Sequence, residues 1–182
     1  MPQDTLRHKK ITLLFLILDA DENGFLEEKD FRNAAERLAA LRNWSQYSDD
    51  AKLLRQAFIS IYEDIIKRLD LNTNRFVELE EWLAYFDQLF EEAADHTRII
   101  DPIATQVFRL LDQNSDGMIS KQELHEFSTV YRIPTESVDE LFDRLDRDAD
   151  GTISTAEYRE MIFDFFLSND PSKAGNYIFG QF

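Results

Sequence analysis

Residues 146–157 read Asp146-Arg-Asp-Ala-Asp-Gly-Thr-Ile-Ser-Thr-Ala-Glu157. Counted as twelve positions, the stretch carries carboxylates at positions 1, 3, 5 and 12, which are Asp146, Asp148, Asp150 and Glu157. Acidic side chains that alternate along a tight loop point toward one centre, and Gly151 at position 6 permits the left-handed turn that such a loop needs. The carbonyl oxygen of Thr152 at position 7 adds to an oxygen shell of the kind that a hard divalent cation prefers. The stretch therefore predicts a loop that binds such a cation.

An acidic solvent turn is the alternative interpretation of any Asp-x-Asp run. The flanks argue against it here, because apolar residues stand at helical spacing on both sides of the loop. These residues are Leu141, Phe142 and Leu145 before the loop and Tyr158, Met161 and Ile162 after it. A helix, a twelve-residue loop with this ligand order and a second helix form the EF-hand calcium motif.

A second complete copy of the motif occupies residues 112–123. Its candidate ligands are Asp112, Asn114, Asp116, the carbonyl oxygen of Met118, and Glu123. Ser120 at position 9 can add an oxygen directly or through a water molecule. We expect both this loop and 146–157 to bind calcium.

The copy at residues 19–30 differs at its last position. Its candidate ligands are Asp19, Asp21, Asn23, the carbonyl oxygen of Phe25, and Asp30. Asp30 is one methylene shorter than the usual glutamate, so it reaches an ion less easily with both oxygens. Six-fold coordination then becomes the expected geometry, and that geometry suits Mg²⁺. We predict a mixed Ca²⁺/Mg²⁺ site in this loop.

The copy at residues 70–81 keeps its oxygen-bearing residues but lacks the glycine. Its tentative ligands are Asp70, Asn72, Asn74, the carbonyl oxygen of Phe76, and Glu81. Arg75 stands at position 6, where positive φ strains a non-glycine residue by ~1–2 kcal/mol and where its charge lies near the cation. Two interpretations stay open: a fourth site, or a loop that binds weakly or not at all. We therefore predict three or four bound ions.

EF-hands pair through the backbone at position 8, which is apolar in all four loops: Leu26, Val77, Ile119 and Ile153. A single copy cannot bury its apolar face. We predict an all-α fold in which two pairs of EF-hands, joined by short β-bridges between paired loops, pack into a compact globule. The predicted units are an N-terminal pair at 1–92, a C-terminal pair at 99–168 and a tail at 169–182 docked on the core.

Two local features refine this prediction. Asp101-Pro102 is expected to start the helix before the third loop, with Asp101 as the N-cap and proline at the first helical position. The last six residues of the tail include four large apolar side chains, which suit a groove between the two pairs better than solvent.

The formal net charge of the 182-residue chain is −16. This excess disfavours nucleic acid and anionic membranes as partners and favours bound cations. The absence of cysteine excludes a disulfide framework and thiolate chemistry. A short apolar run at 11–18 follows basic residues, as in a signal peptide, but acidic residues stand where a cleavage site should be. No run reaches the ~18 apolar residues of a membrane span. We expect a cytoplasmic monomer.

The whole pattern resembles calerythrin and the sarcoplasmic calcium-binding proteins. The resemblance rests on four loops at unequal spacing, on Asp30 and Arg75, and on Phe179-Gly180 in the tail. It implies a compact globule of four EF-hands without the exposed central helix of calmodulin. It also implies a role in calcium buffering or transport.

The expected function is therefore a Ca²⁺ and Mg²⁺ buffer without enzymatic activity. A calcium sensor that opens an apolar surface for a target protein is the alternative, although sensors favour methionine-rich grooves and this chain has three methionines. A calcium-triggered photoprotein that encloses a luciferin is a remoter alternative. An enzyme is disfavoured because the three histidines lie in different segments and no glycine-rich phosphate loop is present.

Overall fold

Residues 5–69, 75–91, 96–130 and 135–178 are described by a computed structural model, and they are mainly helical. The described residues form eight α-helices: α1 (Leu6–Leu18), α2 (Glu28–Leu41), α3 (Asp49–Leu69), α4 (Leu79–Glu91), α5 (Asp101–Leu111), α6 (Lys121–Val130), α7 (Thr135–Leu145) and α8 (Thr155–Leu167). A π-helical turn, His96–Ile100, precedes α5, and a 3₁₀ turn, Ala174–Tyr177, follows α8.

The loops pair as the residues at position 8 predicted. Strands β1 (Met118–Ser120) and β2 (Thr152–Ser154) run antiparallel with Ile119 opposite Ile153. In the N-terminal half, Leu26 and Val77 exchange two backbone hydrogen bonds, at 3.0 and 2.9 Å. All four side chains at position 8 are buried. These bridges and the helical remainder confirm the all-α fold of paired EF-hands.

One aromatic core connects the two halves of the chain. Trp82 on α4 is almost fully buried, and its indole N–H donates to the carbonyl oxygen of Ile11 on α1 at 2.8 Å. The ring of Phe86 stacks on that of Phe166 from α8, with 5.7 Å between centroids and 11° between planes. Such pairs add to the stabilisation from burial. The halves therefore share a core.

Two cations of the N-terminal half bind backbone carbonyls of the C-terminal half. Lys10 on α1 is fully buried, and its ammonium donates to the carbonyl oxygens of Asp164 and Ser168 at the end of α8, at 3.0 and 2.8 Å. Arg42, which follows α2, donates to the carbonyl oxygen of Leu110 at 2.9 Å. The last carbonyls of a helix lack partners within it, so both cations cap helices of the opposite half.

The start of the tail packs against α8. At Gly175 a Cβ atom would lie 2.2 Å from the carbonyl oxygen of Met161, so only glycine allows this approach. The side chain of Asn176 is fully buried and accepts from the ammonium of Lys10 at 2.8 Å, and Ile178 is also buried. The predicted docking of Phe179-Gly180 and of Phe182 lies outside the described residues, and the domain boundaries stay predictions.

The predicted N-cap role of Asp101 is wrong. The backbone is already helical at Ile100, the N-cap residue of α5, because the π-helical turn runs directly into the helix. Asp101 instead accepts a hydrogen bond from Arg159 on α8, at 2.9 Å, and so joins two helices of the C-terminal half. Within the described residues, no helix combines the length and the hydropathy required to cross a membrane.

Candidate metal-binding loops

The structure describes the start of three of the four loops, those at 19–30, 112–123 and 146–157. These three starts share one hydrogen-bond pattern. The first carboxylate accepts from the backbone amides at positions 5 and 6. In the fourth loop Asp146 accepts from Asp150 at 3.0 Å and from Gly151 at 2.9 Å. The corresponding distances are 3.1 and 3.0 Å at Asp112, and 3.0 and 2.9 Å at Asp19. These bonds wrap each loop around its first candidate ligand.

The tight turn requires positive φ at positions 4 and 6. At position 6, Gly24, Gly117 and Gly151 have φ between 84° and 88°. Glycine adopts this conformation without steric cost. At position 4 the residues Glu22, Ser115 and Ala149 adopt φ between 55° and 61°. The sequence pattern predicted the glycine but not the second left-handed residue.

Position 12 is held by the amide at position 9. In the third loop the carboxylate of Glu123 accepts from the amide of Ser120 at 2.7 Å, and its other oxygen accepts from the amide of Gln113 at 2.7 Å. Burial by itself raises the pKa of Glu123, but the hydrogen bonds from Ser120 and from the start of the loop outweigh it. The pKa therefore lies below its usual value, and the carboxylate stays charged.

Glu157 repeats this arrangement in the fourth loop. It accepts from the amide of Ser154 at 2.8 Å and from the amide of Arg147 at 2.9 Å. Burial raises its pKa, and the bonds from Ser154 and Arg147 lower it below the usual value. Each glutamate thus reaches from the outgoing helix back to the second position of its own loop.

The fourth loop brings three carboxylates close enough for one ion. One oxygen each of Asp146, Asp148 and Glu157 lies within 4.8 Å of the others. Three negative charges at this separation repel one another unless a cation lies between them. The donor set consists of oxygens, which suits Ca²⁺ or Mg²⁺ rather than a soft metal. The residues present therefore fit a hard divalent cation.

Other candidate ligands are held by local hydrogen bonds within the loops. Position 5 accepts from the amide of position 7 in the three loops that have glycine. The distances are 2.9 Å for Asn23 and Phe25, 2.9 Å for Asp116 and Met118, and 2.8 Å for Asp150 and Thr152. In the third loop, the amide group of Asn114 donates to Asp116 at 2.8 Å. These contacts connect positions 5 and 7 in all three loops, and positions 3 and 5 in the third loop.

The first loop closes differently because its last residue is short. Asp30 accepts from the amide of Glu27 at 2.8 Å, as position 12 does elsewhere. At position 2, however, the amide of Ala20 donates to the carbonyl oxygen of Leu18 at 2.8 Å, and not to the carboxylate. Asp30 is buried, and this burial raises the pKa of its carboxyl group. Asp30 therefore spans less of the loop than Glu123 or Glu157.

The described end of the second loop keeps the EF-hand geometry. Arg75 has φ of +60°, the left-handed value that glycine would otherwise take, and its carbonyl oxygen accepts from the hydroxyl of Tyr62 at 2.8 Å. The amide of Glu78 donates to Glu81 at 3.1 Å, so positions 9 and 12 meet as in the other loops. The ring of Phe76 lies 5.7 Å from that of Phe25 in the paired loop. Asp70, Asn72 and Asn74 lie outside the described residues.

Sequence reasoning missed two cations beside the loops. Lys29, at position 11 of the first loop, forms ion pairs with Asp21 at 3.1 Å and with Glu27 at 3.0 Å. Its hydrogen bond holds the pKa of the Asp21 carboxyl below the usual range. Arg42 donates to the carbonyl oxygen of Gln113, at position 2 of the third loop, at 3.1 Å. The position of Lys29 within the motif could have indicated its ion pairs. The contact of Arg42 with Gln113 joins residues 71 apart, so no local pattern indicates it.

Comparison with known proteins agrees with this geometry. Residues 104–163 match the model of the EF-hand domain pair. The chain is 25% identical to calerythrin of Saccharopolyspora erythraea over 113 residues, which are 61% of this chain and 64% of calerythrin. It is 22% identical to sarcoplasmic calcium-binding proteins II, V, VI and VII of Branchiostoma lanceolatum over 177 residues, 95% of each chain.

Solved structures give the same result for the fold. The sarcoplasmic calcium-binding protein from amphioxus superposes with a TM-score of 0.79 at 21% identity, over 97% of both chains. Magnesium-loaded apo-berovin, a light-sensitive ctenophore photoprotein whose three calcium-binding loops all bind magnesium, superposes with a TM-score of 0.67 at 18% identity, over 86% of both chains. These findings confirm the resemblance that the loops predicted. Residues 104–163 thus match an EF-hand domain pair, and the chain as a whole has the fold of the sarcoplasmic calcium-binding proteins.

Proposed function

We propose that the chain is a cytoplasmic, monomeric buffer or transporter of Ca²⁺ that also binds Mg²⁺. The observation that carries this proposal is the contact between the halves: Lys10 and Arg42 cap helices of the opposite half around a shared aromatic core. A sensor must separate packed helices to expose a groove. Here, such a separation would leave backbone carbonyls and a buried ammonium without partners, which is costly.

We propose that the chain binds three or four ions. The third and fourth loops each supply oxygens at positions 1, 3, 5, 7 and 12, and we assign calcium to both. We assign a mixed Ca²⁺/Mg²⁺ site to the first loop because Asp30 reaches less far than glutamate. The magnesium-loaded loops of apo-berovin support this assignment, because they hold magnesium within the same fold. The second loop is the candidate for the fourth site.

Bound cations are also expected to stabilise the fold. The chain carries a formal net charge of −16, and its candidate ligands concentrate that charge in a few loops. Ions that bind the folded state and not the unfolded one stabilise it by mass action. We therefore expect the chelated protein to unfold at lower temperature than the metal-loaded one. The stabilisation by a bound ion should be largest in the fourth loop, where the carboxylates lie closest together.

A calcium sensor is the alternative within the same fold. Met161 is the one methionine on a described helix, and it is buried. A methionine-rich groove is therefore not available on the described helices, although other apolar surfaces serve some targets. The two functions differ in the response of the shape to calcium, and this difference can be measured.

A photoprotein role is the remoter alternative, and one observation keeps it under test. The core contains a cavity of about 340 Å³ with mostly apolar walls. Incubation with coelenterazine followed by a calcium pulse tests this role. We expect no light. Emission above that of a sample without protein would show that the chain is a photoprotein and not a calcium buffer.

Calorimetric titration with calcium in a magnesium background tests the proposed function. We expect three or four binding events, and Glu123→Gln and Glu157→Gln should each remove one high-affinity event. Small-angle X-ray scattering of the same samples should give one radius of gyration with magnesium and with calcium. Loss of binding in neither variant, or a larger radius with calcium, would contradict the proposal.

A further inference from the structure

The cavity in the core lies between the two halves of the chain. Its walls come from every described helix except α7, and they also include the π-helical turn. Representative lining residues are Leu14, Leu38, Phe58, Ile103, Phe127 and Ile162. The cavity volume of about 340 Å³ falls within the range of small-molecule sites.

Water is a poor occupant of this space. A buried water molecule needs two to four polar partners, and the walls offer few. The indole N–H of Trp82, which lies on the wall, already donates to the carbonyl oxygen of Ile11 at 2.8 Å. An empty apolar cavity is also unfavourable, because the side chains around it lose dispersion contacts. An apolar group of matching size would therefore stabilise the fold.

One charged side chain stands among the described residues of the wall, and it is Arg37. Arg37 lies on α2 between Ala34 and Leu38, which both line the cavity. It is exposed to solvent, so it marks the rim of the cavity and not its interior. The cavity thus combines an apolar interior with a cation at its mouth.

Arg37 has no carboxylate within ion-pair distance in the described part of the chain. Its guanidinium makes one long hydrogen bond, at 3.4 Å, to the carbonyl oxygen of Ile17. In contrast, Arg32 on the same helix pairs with Glu28. In a chain with a net charge of −16, an arginine without an acidic partner can accept a carboxylate from outside. The planar guanidinium matches the geometry of a carboxylate.

We propose that this cavity binds a single-chain aliphatic carboxylate, such as a medium-chain fatty acid. The hydrocarbon chain fills the apolar space between the halves, and the carboxylate pairs with Arg37 at the rim. This activity goes beyond metal buffering and uses none of the candidate metal ligands. Its loss would leave the calcium sites intact.

Dodecanoate is the probe, and dodecanol is its uncharged counterpart. Calorimetry and tryptophan fluorescence of the full calcium-loaded chain should report one bound dodecanoate per molecule. Arg37→Met should weaken dodecanoate binding by up to about fivefold, as expected for an ion pair at an exposed rim, and should leave dodecanol binding unchanged. Arg32→Met, the matched control on α2, should change neither. Ala104→Phe, which fills the cavity, should abolish binding of both probes while calcium titration stays normal.

Three outcomes would overturn the proposal. The first is no binding of dodecanoate to the wild-type chain. The second is an equal loss of dodecanoate and dodecanol in Arg37→Met, because the cation would then have no specific role. The third is binding that occurs only after deletion of residues 179–182, because the apolar tail would then be the natural occupant.

Discussion

Arg42, directly after α2, donates a hydrogen bond to the carbonyl oxygen of Gln113 at position 2 of the third loop, 3.1 Å away. A second donor of the same guanidinium binds the carbonyl oxygen of Leu110 at 2.9 Å. The other end of α2 carries Asp30, the last candidate ligand of the first loop. One helix therefore touches a loop in each half of the chain.

Removal of the Arg42 side-chain donors should weaken calcium binding at the third loop. We expect Arg42→Met to lower that affinity severalfold, since the hydrogen bonds that hold the loop start contribute about 1 kcal/mol each. The fourth loop should be unaffected. The amide signals of Gly117 and Gly151 in a calcium titration by NMR report the two loops separately. Arg42→Lys should restore part of the effect, and equal weakening of both loops would show that Arg42 acts only on overall stability.

The length of residue 30 should set the ion preference of the first loop. Asp30→Glu adds the methylene with which Glu123 reaches the amide of Gln113 at 2.7 Å. We expect the variant to gain calcium preference over magnesium, because a longer carboxylate supplies both oxygens more easily. Glu157→Asp is the reciprocal control and should move the fourth loop toward magnesium. Competitive calorimetry measures both changes, and an unchanged preference in Asp30→Glu would disprove the interpretation of this loop.

Arg75 should limit the affinity of the second loop in two separable ways. Arg75→Gly removes both the positive charge and the strain of φ +60°, which costs ~1–2 kcal/mol for a non-glycine residue. Arg75→Ala removes the charge and keeps the strained backbone. We expect calcium affinity at this loop to rise in the order wild type, alanine variant, glycine variant. Calorimetric heats that are the same in all three proteins would mean that the loop is not a metal site.

Lys10 should make the stability depend on pH in the alkaline range. Burial lowers its pKa from 10.5 to about 8, against the opposing attraction of Asp164. Between these two values the unfolded chain binds more protons at Lys10 than the folded chain does. The contribution of this group to the free energy of unfolding therefore rises as the pH increases from about 8 toward 10.5.

The variant Lys10→Met lacks this contribution. We expect the free energy of unfolding of wild type minus that of Lys10→Met to increase from pH 8 to pH 10 in chemical denaturation. Lys9→Met, an exposed neighbour on α1, should show no such change. A difference that is constant or falls over this range would contradict the assigned burial of the ammonium.

Much of the fold follows from local sequence patterns. The ligand order and the apolar residue at position 8 predict each helix–loop–helix unit and its partner, as the bridge between Ile119 and Ile153 confirms. The packing of the halves was less predictable. The contacts of Lys10 with α8 and of Arg42 with the third loop join residues far apart in the chain, and no local periodicity encodes them.

In the candidate metal-binding loops, too, some features follow from local sequence patterns and others do not. The glycines at position 6 mark the left-handed turn, but the positive φ of Glu22, Ser115 and Ala149 at position 4 follows from loop closure and not from residue type. The predicted cap at Asp101 failed because the π-helical turn already makes the backbone helical at Ile100, and the Asp101 carboxylate accepts from Arg159 instead.

Hydrophobic-dye fluorescence tests the closed buffer most directly, with the protein in chelator, in Mg²⁺ alone, and in Mg²⁺ plus Ca²⁺. Dye that enters the core cavity contributes equally to both magnesium samples if the globule stays closed, so the difference between those two samples is the quantity to read. For a closed buffer, we expect calcium to add no signal over magnesium. A clear rise with calcium would mean that an apolar surface opens on demand, and the protein would then be a sensor.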